Sequence, residues 1–245
     1  MSAFKYNLGV VGLGYVGLPL AVDAVSSGLS VVGYDVSEEK NTLINNGQSP
    51  IEDISNDDLK SALDNGFIAS SDETILADVE YIVISVPTPL TDYQPDLTYV
   101  KSAASSVGRN LRDGQVVILE STTYPGTTEE VLIPEIAKHS DKKPGEEFYV
   151  GYSPERIDPG NKTWKFKNTP KIISGINDAS LDKIESFYKS IIDEVVPVSS
   201  PKEAEMVKLL ENTYRHVNIA LINELAIWYI CSLLTLIISS IDPSG

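Results

Sequence analysis

Apolar residues fall in short runs, and the runs alternate with stretches of helical spacing. Residues 8–11 form one such run, which reads as a buried strand and stops at Gly12. Residues 18–27 read as a helix closed by Gly28, and residues 30–34 as a second strand ending at Asp35. Helices are predicted over 37–46 and 55–65, the second opened by the capping-box pattern Ser-Asn-Asp-Asp (55–58). A strand over 81–86, a helix over 97–110 and a strand over 115–119 follow. Next come a helix from about Thr127 and a strand over 147–151. Two more strands, 171–174 and 194–198, flank a helix over 181–191. The last helix opens on Ser-Pro-Lys-Glu (200–203), an N-cap serine, a first-turn proline and a glutamate three residues on. This alternation predicts an α/β fold, a Rossmann-type doubly wound parallel sheet over 1–199, followed by a long C-terminal helix over 200–245.

The first turn carries the pattern G-x-G-x-x-G at Gly12, Gly14 and Gly17. Gly12 allows the tight turn, Gly14 a close backbone approach to a pyrophosphate, and Gly17 close packing of helix on strand. Tyr15 and Val16 lie between them, at a helix N-terminus that favours anions. Asp35 stands 21 residues after Gly14, where an acid can bond both ribose hydroxyls and repel a 2′-phosphate. The pattern therefore favours NAD over NADP. A glycine turn that binds nothing, or one that serves a flavin or another adenosine ligand, is the competing explanation.

Three polar clusters sit at predicted strand ends. The strand over 81–86 ends in Val-Pro-Thr-Pro (86–89), which leaves Thr88 at the C-terminal edge of the sheet. The strand over 115–119 runs into Glu-Ser-Thr-Thr-Tyr-Pro-Gly (120–126), either a site or a hydroxyl-rich helix cap. The strand over 147–151 leads into an irregular loop with Glu155 and Arg156, either site residues or a solvated salt bridge. On the last helix, Lys208, Asn212 and Arg215 share one face, which is either a solvated edge or one wall of a site.

Net charge narrows the partners. At −16 over 245 residues, nucleic acid is excluded as an expected partner, and any anionic ligand needs a locally basic or helix-terminal site. The single cysteine, Cys231, excludes an internal disulfide and fits a cytoplasmic, reducing setting. The first ten residues lack the form of a signal peptide. No metal site is expected. Residues 225–241 are uncharged and mostly apolar, at the lower limit for a membrane span, and are expected instead to begin a central helix.

Five stretches together resemble the UDP-glucose/GDP-mannose dehydrogenase family of NAD-dependent nucleotide-sugar 6-dehydrogenases. They are Gly-Leu-Gly-Tyr-Val-Gly-Leu-Pro (12–19), Val-Pro-Thr-Pro-Leu (86–90), Glu-Ser-Thr-Thr-Tyr-Pro-Gly-Thr-Thr (120–128), Ser-Pro-Glu-Arg (153–156) and Glu-Met-Val-Lys-Leu-Leu-Glu-Asn-Thr-Tyr-Arg (205–215). Asp-Pro-Gly-Asn (158–161) looks most like members that oxidise UDP-N-acetylglucosamine; UDP-glucose is the alternative. The resemblance implies a two-step oxidation of a sugar C6 alcohol to a carboxylate with two NAD⁺, as in polysaccharide biosynthesis. A cysteine thiolate traps the intermediate aldehyde.

By position it implies that Gly14, Tyr15 and Val16 lie along the pyrophosphate, with Gly12 and Gly17 in the same cofactor-binding set. Asp35 and Lys40 would meet the adenosine ribose, with Thr88 and Thr122 near the cofactor. Thr122 and Glu155 would hold the catalytic water, and Lys208 and Asn212 would stabilise charge on the C6 oxygen. Arg156 and Arg215 join the substrate set. Two departures stand out. Pro159 occupies a position where some members carry a second glutamate. Cys231 lies in Trp-Tyr-Ile-Cys-Ser-Leu-Leu (228–234), without the glycines of the family's nucleophilic Gly-Gly-x-Cys segment. The expectation is an N-terminal part, truncated in its central helix and without the UDP-binding domain. It would dimerise through 200–241, with a separate C-terminal domain chain as a further partner. A non-catalytic NAD-binding module is the rival expectation.

Overall fold

The computed structural model describes residues 4–92, 94–156 and 167–240, with 231–240 described by backbone alone. The loop stretch 158–161, singled out above, lies outside the described residues, as do 241–245.

β1 (Tyr6–Val11) enters the glycine turn, α1 (Gly17–Ser26) follows, and β2 (Val31–Tyr34) returns beside β1. The α1 face explains its packing: Leu18, Ala21, Val22 and Val25, spaced i, i+3, i+4, i+7, are all buried. The helix stops at Gly28, whose φ of 90° suits glycine. α2 (Glu38–Asn45) and α3 (Asn56–Asp64) begin at Ser37 and Ser55, whose side chains accept from the Lys40 and Asp58 amides. The Ser55 cap is therefore formed, and Ser55 Oγ in turn donates to Asp58 Oδ2 (2.6 Å). β3 (Ile68–Ser70) and a 3₁₀ turn (Glu73–Asp78), neither evident in the periodicity, lead to β4 (Val79–Ile84).

A small hairpin, β5 (Leu90–Thr91) with β6 (Gln94–Pro95), precedes α4 (Thr98–Asn110) and β7 (Val116–Leu119). A π-helical turn (Thr128–Leu132) opens α5 (Ile133–Ala137), and β8 (Tyr149–Tyr152) follows. β9 (Lys171–Gly175), α6 (Asp178–Lys189), β10 (Val195–Pro197) and α7 (Pro201–Ser240) complete the chain. All four β7 side chains are fully buried, as a central strand covered on both faces requires. Each such side chain contributes roughly 1.5–3 kcal/mol by leaving water.

The sheet order is β10-β9-β8-β7-β4-β1-β2-β3. Its six-strand stretch β3-β2-β1-β4-β7-β8 is parallel throughout and has the strand order of a dinucleotide-binding fold. The wholly parallel sheet expected from the sequence is corrected at one seam. β9 pairs antiparallel to β8, with Gly151 opposite Gly175 and Tyr152 opposite Ser174, and β10 runs parallel to β9. The reversal places the first residue of β9, Lys171, beyond the C-terminal end of β8. A parallel β9 would have placed it at the opposite edge.

The chain divides into two compact units, 1–206 and 207–245. Within the second unit α7 exposes Tyr214, Val217, Ile222, Leu225, Trp228 and Tyr229, each more than half accessible. Among the described residues, no helix is long and apolar enough to cross a membrane.

Candidate functional site

The glycine turn is built for a close approach from outside. Gly12 has a φ of 93°, and a Cβ there would meet the Ser85 carbonyl oxygen. A Cβ on Gly17 would collide with the Gly12 carbonyl oxygen and Ser85 Oγ, so α1 can reach the strand only with glycine there. Gly14 differs: among the described residues nothing lies within 4 Å of its added Cβ, so the fold itself leaves that space open. The N-cap of α1 is Val16, without a side-chain bond, whereas α2, α3 and α6 are capped by Ser37, Ser55 and Asn177. Tyr15 is exposed beside this uncapped end. An open space in front of uncapped helix amides fits a pyrophosphate.

Asp35 follows β2 and is buried. Its Oδ2 accepts from the Leu13 amide (2.9 Å) and from Lys40 Nζ (2.7 Å), and its Oδ1 from the Ser37 amide (3.0 Å). Two backbone donors and an ammonium thus fix the carboxylate against the glycine turn, where it could hold a ribose. Replacing Asp35 by alanine is expected to weaken NAD binding about tenfold, the worth of one charged hydrogen bond, and to narrow the preference over NADP. Calorimetry with both cofactors checks this; equal affinities in the unmutated chain would count against the assignment.

Thr88 and Thr122 lie after neighbouring strands and are joined directly: Thr88 Oγ1 donates to the Thr122 carbonyl (2.7 Å). Ser121 Oγ donates to the Val86 carbonyl (2.7 Å). Both threonines are half-buried. The two strand-end loops are therefore stitched together by hydroxyls, and these residues are more than a helix cap.

Glu155, after β8, is part of a buried ionic cluster that the periodicity did not reveal. Lys171 Nζ lies 2.8 Å from Glu120 Oε1 and 3.1 Å from Glu155 Oε2. Glu120 Oε1 also accepts from Tyr188 Oη (2.5 Å), and Glu155 Oε1 from the Arg156 amide (2.6 Å). The Arg156 guanidinium donates to the Pro170 carbonyl (3.0 Å). Burial pushes the Glu120 carboxyl up from its ordinary range, with Lys171 opposing. Burial works against the Lys171 ammonium, but Glu120 and Glu155 outweigh it and hold its pKa above the usual value. Burial, then Glu120, raises Tyr188 well above the phenol range.

A second buried carboxylate ties the start of α7 to this region. Glu205 Oε2 accepts from the Gly126 amide (2.5 Å), and its Oε1 from the Thr128 amide (2.9 Å) and hydroxyl (2.7 Å). Burial raises its pKa, and the Thr128 and Gly126 bonds hold it back. In the second unit Lys208 and Asn212 are half-buried and one helical turn apart, and Arg215 is exposed. Lys171, Glu120 and Glu205 were not expected as site residues. The signal for Lys171 was a lysine heading an apolar strand directly after a proline.

Comparison with known proteins decides the family. The profile of the UDP-glucose/GDP-mannose dehydrogenase family, NAD binding domain, matches residues 6–192, and that of its central domain residues 202–236. The chain belongs to this family. Its first unit thus contains the family's NAD-binding domain, in agreement with the open glycine turn. UDP-N-acetyl-D-glucosamine 6-dehydrogenase of Salmonella typhi is 41% identical over 225 residues, covering 91% of this chain and 52% of the relative. The structure of UDP-D-ManNAc dehydrogenase from Pyrococcus horikoshii superposes with a TM-score of 0.85 at 37% identity, over 91% of this chain and 53% of that one. A ternary complex of GDP-mannose dehydrogenase from Pseudomonas aeruginosa gives 0.83 at 29% identity, over 89% and 52%. The chain spans about half the length of the curated relatives it matches.

Proposed function

We propose that the chain is the NAD-binding part of a nucleotide-sugar 6-dehydrogenase that oxidises UDP-N-acetylglucosamine to its uronic acid, with UDP-glucose as the alternative substrate. One observation carries the reading. The four neighbouring parallel strands β1, β4, β7 and β8 end, in that order, at the glycine turn, Thr88, Thr122 and Glu155. A cofactor cradle, two linked hydroxyls and a carboxylate thus follow one another along the edge where open α/β sheets bind ligands.

NAD, when bound, supplies the hydride acceptor. The residues do the rest. Thr122 and Glu155 hold a water, which Glu155 orients through its carboxylate. Lys208 and Asn212 place an ammonium and an amide, one helical turn apart, against the oxygen that gains negative charge as hydride leaves C6. Arg156 and Arg215 serve the substrate's anionic part. In this reading residues 1–199 form the dinucleotide domain and 200–245 the start of a central helix, and the protein works in the cytoplasm, which its single cysteine suits.

The test has two arms: the chain alone, and the chain mixed with the separately expressed C-terminal half of the Salmonella typhi relative. The reading expects two NADH per UDP-N-acetylglucosamine in the mixed arm. There Lys208→Ala should lower kcat about a hundredfold or more while leaving NAD binding intact. Two NADH per sugar from the chain alone would show that another residue serves as nucleophile. NAD binding with no turnover in either arm would favour the second reading, a non-catalytic NAD-binding module.

We also propose that the chain self-associates through the apolar surface of α7. The large exposed side chains between Tyr214 and Ile230 form a surface of the kind that marks an interface. Sedimentation should show a dimer or larger species that deletion after Asn212 shifts toward monomer. A clean monomer at micromolar concentration would sink the idea.

A further inference from the structure

We propose that Lys171 is a positioning residue that keeps the Glu155 carboxylate ionised at the site edge, and that Glu120, sharing the same ammonium, is the carboxyl that takes up a proton first. The inference rests on the reading of Glu155 as the group that orients water, and it adds what sets the charge of that group.

The geometry separates the two carboxylates. Glu155 is 15% exposed, and each of its oxygens has a donor: the Arg156 amide on Oε1 and Lys171 Nζ on Oε2. Glu120 is fully enclosed, and among the described residues its engaged oxygen is Oε1, held by Tyr188 and Lys171. Among the described residues its Oε2 has no hydrogen-bond partner. A buried carboxylate oxygen without a donor is costly as an anion and is relieved by protonation. Among the described residues, one ammonium therefore faces two carboxylates in a buried cluster, and the excess negative charge is most readily lost at Glu120.

Charged and titratable groups reach Glu155 from several elements. Lys171 comes from β9 and Glu120 from the end of β7. Tyr188 on α6 reaches it through Glu120, and its ring also lies 5.4 Å from Lys171 Nζ. The Arg156 guanidinium is bonded to the Pro170 carbonyl, which braces the residue that precedes Lys171. The upward tendency of both Glu120 and Lys171 agrees with this division.

As the pH falls, Glu120 becomes neutral, and the whole Lys171 charge is left to Glu155. Glu155 then stays ionised into more acid solution than either carboxylate would if the ammonium were removed.

The experiment is a titration of the full chain, carrying ¹³C-carboxyl glutamate, followed by NMR, with signals assigned from Glu120→Gln and Glu155→Gln. Glu120 is expected to titrate at higher pH than Glu155. Lys171→Met is expected to raise the Glu155 midpoint by roughly one unit or more, and Lys171→Arg to leave it low. Glu155→Gln is expected to lower the Glu120 midpoint, since Glu120 then has the ammonium to itself. Should Lys171→Met fail to fold, the order of midpoints in the unmutated chain and the Glu155→Gln shift decide. The inference is overturned if Glu155 titrates above Glu120, if Lys171→Met leaves Glu155 unmoved, or if Glu155→Gln fails to lower Glu120. These readouts do not depend on turnover; whether Glu155 orients water is tested separately by Glu155→Ala in the mixed assay.

Discussion

Gly17→Ala is expected to abolish NAD binding and to cost more than about 3 kcal/mol of stability, at the upper end for an overpacked site. The added methyl meets the Gly12 carbonyl oxygen and Ser85 Oγ, and α1 begins at that residue. Relief requires α1 to move away from β1, which uncovers Leu18, Ala21 and Val22. The instructive control is Gly14→Ala. Its Cβ meets nothing within 4 Å, and its φ is not positive. The fold should tolerate it, or gain a few tenths of a kcal/mol from the less flexible unfolded chain. NAD binding should still fall at least tenfold, because the methyl occupies the space in front of the uncapped helix. Denaturant melts and calorimetry on both variants separate the two roles. Equal stability losses would refute the division between a glycine that packs and a glycine that binds.

Glu205→Ala is expected to cost about 3 kcal/mol. The carboxylate satisfies the Gly126 amide, the Thr128 amide and the Thr128 hydroxyl, all in a buried setting. Removing it orphans two backbone donors at roughly 1–3 kcal/mol each, and the space left admits water that recovers part of the loss. The nearby Glu203, on the exposed side of the same helical turn, accepts from the Ser199 amide (3.0 Å). Glu203→Ala should cost no more than about 1 kcal/mol, because water replaces that bond. Urea denaturation of the two variants gives the comparison directly. A Glu205 loss no larger than the Glu203 loss would show that the buried bonds contribute little.

Much of the scaffold was legible because its signals are local. The glycine spacing, the serine caps at Ser37 and Ser55 and the Pro201 helix start each depend on neighbours within a few residues. β3 was not legible: three residues, with Ile68 exposed, give too short a run for any periodicity. The hairpin β5–β6 escaped for the same reason. The direction of β9 was hidden more deeply, since an apolar strand reads the same whichever way it pairs. That one ambiguity concealed Lys171, which a parallel β9 would have put at the far edge from Glu120 and Glu155. Glu205 was visible only as part of a motif. Nothing in its own surroundings says that its partners lie 77 and 79 residues earlier, at Thr128 and Gly126.

The reversed seam also bears on the order in which the chain can mature during synthesis. All six parallel strands have been made once Tyr152 is added, and a nascent chain at that point holds the whole dinucleotide scaffold. Glu120 is already committed to its interior, however, and the ammonium that balances it arrives only with Lys171, followed by Tyr188. A chain folded only through β8 therefore has an unpaired edge at β8 and an interior carboxyl that must stay protonated or stay wet. The antiparallel strand closes both defects in one step. It covers the β8 edge and delivers the cation, so the strand that closes the parallel sheet is also the one that balances its buried carboxylates.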